Sequence, residues 1–259
     1  MREEGRFSSL RKALVLVGLA LVWEAYARWL DNPLLVPTFY DTAVAFFAAL
    51  ASGELLRATG HSLWTLLQGY ALGLLGAGLL TAIAASSRIG ADVLETLTAM
   101  FNPLPSIALL PLAMIWFGLG NGSIVFVLVH AVMWSVALNA HTGFRAVSPT
   151  WRMVGQNYGL SRSAYVLKIL VPGALPSILT GLKIGWAFAW RALIAAELVF
   201  GVSSSGGGLG WYIFQNKNLL EIPSVFAGLL MVILFGLLVE NLVFRTLEQR
   251  TVRRWGMQS

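Results

Sequence analysis

The stretch GQNYGLSRSAYVLKILVPG, Gly155 to Gly173, is polar and basic in a chain whose flanks are almost continuously apolar. Its local chemistry is that of two short helices. Ser148 can accept an N–H bond and Pro149 suits a first helical position, so a helix starts there. Gly159 enters the left-handed region without penalty and ends that helix. Ser161 can cap a second helix through RSAYVLKIL, which Pro172 is expected to stop. Trp151, Val154, Tyr158, Tyr165 and Ile169 alternate with Arg152, Gln156, Arg162 and Lys168, which makes an amphipathic knuckle. Composition leaves two readings of it open. One is an interfacial loop lying on anionic lipid, the other a projection that docks into a second protein.

The chain around this knuckle is 259 residues long, 57% hydrophobic and 12% charged, with a mean hydropathy of +0.73. Soluble domains carry about a quarter charged residues, so this is an integral membrane protein. With no cysteine, disulfides, thiol catalysis and cysteine-held metals are excluded. His61, His130 and His141 lie far apart in the sequence and show no metal-binding spacing.

Six segments are long enough to cross about 30 Å of hydrocarbon: 13–30, 62–86, 94–117, 122–140, 177–200 and 223–244. The third must kink or start afresh, because Pro103, Pro105 and Pro111 lack an N–H. Between the first two, VPTFYDTAVAFFAAL is too short to span and reads as an interfacial or re-entrant helix. With the N-terminus in the cytoplasm, thirteen of the 18 Lys and Arg fall inside, among them Arg11, Arg88, Arg145, Arg152, Arg162 and Lys168. Only Arg28, Arg57 and Lys217 fall outside. That asymmetry places both termini and the knuckle in the cytoplasm. It also absorbs the net charge of +6, leaving nothing that asks for nucleic acid. The organisation is a segment 1–12, one transmembrane domain 13–244 with the knuckle at 148–172, and a tail 245–259. Gly69 and Gly73 form a small-xxx-small pair for close helix packing within the subunit.

Several residues resemble a known family, the permease subunits of binding-protein-dependent ABC importers. That family's cytoplasmic signature runs Glu-Ala-Ala, three residues, Gly, nine residues, Ile-x-Leu-Pro. Here Gly159, nine residues and Ile169-Leu170-Val171-Pro172 keep the spacing, while Met153, Val154 and Gly155 stand in place of the triplet. NPLPSIALLPLAMIWFGLG, PGALPSILTGLKIGWAFAW, IAAEL and GGGLGW resemble most closely the branch for nitrate, sulfonate, taurine and bicarbonate. The resemblance implies an all-α integral membrane fold of the type I importer kind, with six spans and a cytoplasmic coupling helix, in a bacterial inner membrane. It implies that Met153, Val154, Gly155, Tyr158, Gly159, Leu160, Ser161, Arg162 and Pro172 couple to an ATPase subunit. ATP and Mg then belong to that partner, since this chain has no phosphate-binding loop and is not itself an enzyme. A second permease copy, a periplasmic or lipid-anchored substrate-binding protein and membrane lipid complete the partners, and Gly208, Gly210 and Trp211 are candidate contacts for the binding protein.

Ionisable groups at span centres cost at least a few kcal/mol and invite a functional reading. Trp190, Arg191 and Glu197 are candidate pathway residues. Trp190 and Arg191 together would present a planar cationic and aromatic surface to a flat anion, and the resemblance gives Glu197 a structural role near the outer gate. The alternative is that Arg191 pairs with Glu197 or Glu240. Lys183, Glu24 and Glu240 read as groups reaching towards the headgroups, Asn139 as a backbone cap, and Trp211 and Tyr212 as an interfacial belt in a flexible outer segment, residues 201–218. The expected function is a permease subunit importing a small anion. A pyrimidine or aromatic-acid cargo, an autonomous channel or carrier, and a membrane enzyme are the competing classes; repeated halves or clustered acid–base residues, which the last two need, do not occur.

Overall fold

A computed structural model describes residues 2–200 and 207–253. Among these residues there is no strand. The chain begins with α1 (Arg2–Leu30) and the short apolar α2 (Phe39–Ala51). Thr38 caps α2, its hydroxyl oxygen accepting from Asp41 N at 3.0 Å. Then come α3 (Glu54–Ser86), α4 (Arg88–Phe101), a 3₁₀ turn (Ser106–Leu109) and α5 (Leu110–Phe117). The central helix α6 (Asn121–Ala146) leads to α7 (Pro149–Asn157) and α8 (Arg162–Tyr165). After a π turn (Val166–Leu170) follow α9 (Val171–Gly173), α10 (Leu175–Phe200), α11 (Leu209–Asn218) and α12 (Ile222–Val239). A second π turn, α13 (Arg245–Glu248) and a third π turn complete the described chain.

Among the described residues five helices are long and apolar enough to cross a membrane, and α4 with the Ser106–Phe117 segment, bent by 87°, makes a sixth if taken as one span. The bend lies where the prolines demand it. Pro103 and Pro105 occupy the gap, and Pro111 sits in the first turn of the new helix, where no N–H is needed. Outward-facing Leu16, Val22, Leu75, Leu79 and Ile233 are all exposed, as a hydrocarbon-facing surface requires. The core lies between α3, α6 and α10, where Leu66, Val127, Leu128, Val132 and Leu193 are completely buried. By the same measure α6 is the hub, with 61% of its apolar stretch buried, and α1 is peripheral at 6%.

Small residues set the α3–α6 distance. A Cβ at Gly69 would fall 2.4 Å from Leu128 Cβ, and one at Gly73 2.7 Å from Val132 Cβ. Both neighbours are Cβ atoms, fixed by the backbone, and cannot swing aside. Gly73→Ala is therefore expected to cost about 1–3 kcal/mol, read as a lower thermal midpoint in detergent. Gly78→Ala meets nothing within 4 Å and should leave that midpoint unchanged or raise it; equal midpoints for the two variants would refute this account of the packing.

Two expectations about helix ends are corrected. Pro172 does not stop the second knuckle helix, which runs on through Gly173. The π turn makes this workable: Val171 N reaches back to Val166 O, and Pro172 falls in a fresh first turn. The fourth span ends at Ala146 rather than near residue 140. The outer segment at 201–218 is only partly described. Gly201 to Gly206 lie outside the described residues, as does the end of the tail from residue 254, but Leu209–Asn218 is the ordered helix α11.

Candidate functional site

Four features stand out against this frame, three of them polar. The first is the knuckle. Ser148 Oγ accepts from Thr150 N at 3.3 Å and opens α7. Gly159 takes φ +62°, and Leu160 N bonds back to Gly155 O at 3.2 Å, the six-to-one closure of a left-handed helix end. Ser161 then accepts from Ala164 N at 3.4 Å. The corner read from the sequence is thus the corner in the fold. Gly155 is buried, and a Cβ there would fall 2.6 Å from the Tyr165 ring and 2.9 Å from Ile169 Cδ1; it lets α7 lie on the following helix. The outer surface is apolar: Tyr158 is 80% exposed, Trp151 60% and Met153 55%. Val154 and Leu160 are half-buried, while Gly159 and Ser161 are exposed; Arg162 opens α8, and its side chain lies outside the described residues.

At the knuckle end, ion pairs tie the spans together. Arg145 and Glu95 bond directly, with His141 Nε2 3.4 Å from the same carboxylate, so α4 is held to α6. Lys183 and Glu240 pair at 2.5 Å between α10 and the π turn after α12. The expectation that these two groups reach separately for headgroups is corrected. Glu24 likewise meets Arg28 at 2.7 Å and accepts from Tyr40 N at 3.2 Å. Asn139 does bond backbone, donating to Ser135 O at 2.8 Å.

The second feature lies at the opposite end. Glu197 is 5% exposed. It accepts from Ser62 Oγ at 2.8 Å through both oxygens and from Gly210 N at 2.9 Å. Ser62 Oγ in turn accepts from Leu209 N at 2.8 Å. One carboxyl group thereby joins α3, α10 and α11. Gly208 and Gly210 are buried against it; a Cβ on Gly208 would sit 2.1 Å from Glu197 Oε1, and one on Gly210 2.6 Å from Glu197 Cβ. The structure turns these glycines inward. Tyr212 is also buried, at 5% exposure, which corrects its placement in an interfacial belt. Trp211 is half-buried and stacks on Phe214 at 5.4 Å.

The third feature separates the residues expected to act together. Trp190 is 7% exposed and packs on Phe235 at 5.2 Å, towards α12. Arg191 is exposed on another side of α10. The joint Trp190–Arg191 surface does not form, because neighbours on a helix point about 100° apart. Nor does Arg191 pair with Glu197 or Glu240, whose partners are given above. Its Nε donates to Ala187 O at 3.0 Å, and its guanidinium carbon lies 5.3 Å from the Phe188 ring centre. It borders a recess of about 350 Å³ at the α4–α5 break, together with Asn102, Ser106, His130, Trp134 and Ser135.

The fourth feature is an apolar cavity of about 730 Å³ above the knuckle, bordered by Ala77, Thr81, Val136, Ala140 and Val166. It separates the second knuckle helix from α3.

A bundle of membrane-spanning helices with one broken span, an exposed two-helix knuckle at one end and a cation inside a span is a polytopic transport protein. Residues 74–253 match the family described as "Binding-protein-dependent transport system inner membrane component", and the chain belongs to it. It is a permease subunit of an ABC importer. Among its relatives is a protein of Escherichia coli (strain K12) named as an aliphatic sulfonates transport permease, SsuC. The two are 29% identical over 93% of this chain and 89% of that one. The nitrate import permease protein NrtB of Synechocystis is 30% identical over 82% of this chain and 73% of its own length. A crystal structure of an amino acid ABC transporter superimposes with a TM-score of 0.62 at 16% identity, covering 81% of this chain and 98% of that chain. That likeness concerns the fold alone.

Proposed function

We propose that this permease carries a small oxyanion or organosulfonate into the cell, driven by a partner ATPase that grips the knuckle at 148–172. The observation that carries the anion reading is Arg191, a span cation with no carboxylate partner among the described residues. A cation within a span without a counter-charge is costly, and a passing anion relieves that cost. The relatives named for sulfonate and nitrate agree with such a cargo.

Coupling falls to the apolar outer surface of the knuckle, with Tyr158, Trp151 and Met153 as the groups that would enter a groove on the ATPase. Gly155 supports this surface from beneath, and Pro172 starts the turn that joins it to α10. ATP and Mg are held by the partner. A second permease copy completes the pathway, and a periplasmic or lipid-anchored binding protein delivers the anion at the Glu197 end, where Trp211 is the least buried of the candidates. The basic-residue asymmetry puts both termini and the knuckle in the cytoplasm.

The test is uptake of nitrate and of methanesulfonate by vesicles holding the permease with its ATPase and binding protein. Arg191→Ala should lower uptake by about 10- to 100-fold, the worth of a charged hydrogen bond, while ATPase capture in a pull-down stays normal. Uptake at the unmodified rate would remove Arg191 from the pathway.

A further inference from the structure

We infer that the recess at the α4–α5 break is a station that holds an oxyanion during transport, with Trp134 and His130 donating to it behind Arg191. This deepens the anion reading above and rests on it.

The inference comes from polar atoms with no partner. Trp134 is 7% exposed, and among the described residues its indole N–H has no acceptor and neither ring nitrogen of His130 has a partner. Buried polar groups are almost always hydrogen-bonded, and each exception calls for a reason. Here three such nitrogens belong to two residues bordering one recess, beside a guanidinium that among the described residues hydrogen-bonds through Nε alone. An indole N–H can only donate, and a neutral imidazole always has one donor to offer. Donors around a cation suit an acceptor-rich anion. A span carboxylate on an apposed second copy is a poor substitute, because Glu197 and Glu240 have partners already. At about 350 Å³ the recess is at the small end of ligand sites, about 300–1,000 Å³, which suits a small anion with part of its hydration.

The break in the span gives the station a gate. All three nitrogens are closed off from water in this conformation, whereas Arg191 is exposed. An entering anion therefore meets Arg191 first. Phe101, the last residue of α4, stacks on Trp134 at 5.2 Å and 14° and stands edge-on to His130 at 6.4 Å. Movement at residues 102–105 shifts Phe101, and with it the cover over both rings. The indole and imidazole then reach the anion.

Calorimetric titration of the permease–ATPase complex in nanodiscs tests this. The probes are sodium methanesulfonate and sodium nitrate against sodium chloride at equal ionic strength, with and without a non-hydrolysable ATP analogue. Saturable binding of one probe is expected in at least one nucleotide condition. Trp134→Phe, which keeps the stack on Phe101, should weaken it about tenfold, and His130→Leu by a similar factor, the loss of one donor to a charged acceptor. Both variants should elute as the parent complex does; if one does not, the other decides. Unaltered binding in the correctly assembled variants, or no saturable binding in either condition, overturns the station. ATPase capture by the same preparation keeps the two readings apart. Captured ATPase without anion binding removes the station and leaves the importer reading intact, while Trp134-dependent binding by the permease reconstituted alone, with no ATPase captured, supports the station and counts against the coupling.

Discussion

Replacing Glu197 by alanine is expected to destabilise the folded permease by about 3–5 kcal/mol, enough to lower its recovery from membranes. The estimate follows from what the change strands. Gly210 N loses its acceptor and Ser62 Oγ loses both carboxylate contacts, and a buried group left unpaired costs about 1–3 kcal/mol. A cavity in a 5% exposed position adds to that. The damage would spread, because α11 approaches α10 through Gly208 and Gly210, both seated directly on this side chain. Glu197→Gln should cost less, about 1–2 kcal/mol, since its carboxamide oxygen still accepts from Gly210 N. Thermal denaturation in detergent, followed by fluorescence-detected size exclusion, reads both values. If the alanine variant melts with the parent, the carboxyl group is not what joins the three helices.

That node also shows where reading along the chain runs short. Glu197 stands out in the sequence as a charge in a span, but Ser62 is an ordinary serine in an apolar helix, 135 residues away. Nothing local announces the pair. The same holds for Lys183 with Glu240 and for Arg145 with Glu95, where each partner alone looks like a group seeking headgroups. Trp190 and Arg191 fail differently. Adjacency in sequence suggested a shared surface, while the helical turn sends one into the core and the other towards the recess. His130 and Trp134, in turn, gave no signal: a lone His and a Trp in an apolar span read as packing, and only unpaired nitrogens beside a cation set them apart.

What could be read was set by short-range chemistry. Ser148, Gly159 and Ser161 act within a few residues of themselves, and the fold bears out all three, down to the φ of +62° at Gly159. The broken third span follows from missing N–H groups, and the Gly69–Gly73 packing from the absence of side chains. Pro172 marks the limit of such rules. Proline ends a helix when the hydrogen-bond register is fixed, but a π turn just before it changed the register and let the helix continue. The carboxyl node and the knuckle therefore answer to different kinds of change. The first is sensitive to any loss of a buried partner, while the second can lose an outer side chain without loss of fold.

The knuckle should accordingly show a large loss of coupling with no loss of stability. Tyr158 is 80% exposed, so Tyr158→Asp leaves the packed core untouched and should move the melting midpoint little, as surface changes usually do. A buried aromatic anchor at an interface is worth at least about 2 kcal/mol, so ATPase capture should fall by about 30-fold. Gly159→Val tests the corner itself. A β-branched residue at positive φ is strained by about 1–3 kcal/mol, which reopens the corner and moves Tyr158 and Met153 away from a common surface. Capture by this variant should fall as well, although its new side chain has open space around it. A steric account of the corner predicts no effect there, since nothing lies within 4 Å for the added atoms to strike. Full ATPase capture and ATP-driven uptake by both variants would mean that the motor grips this permease elsewhere, and the knuckle would then be a lipid-facing loop.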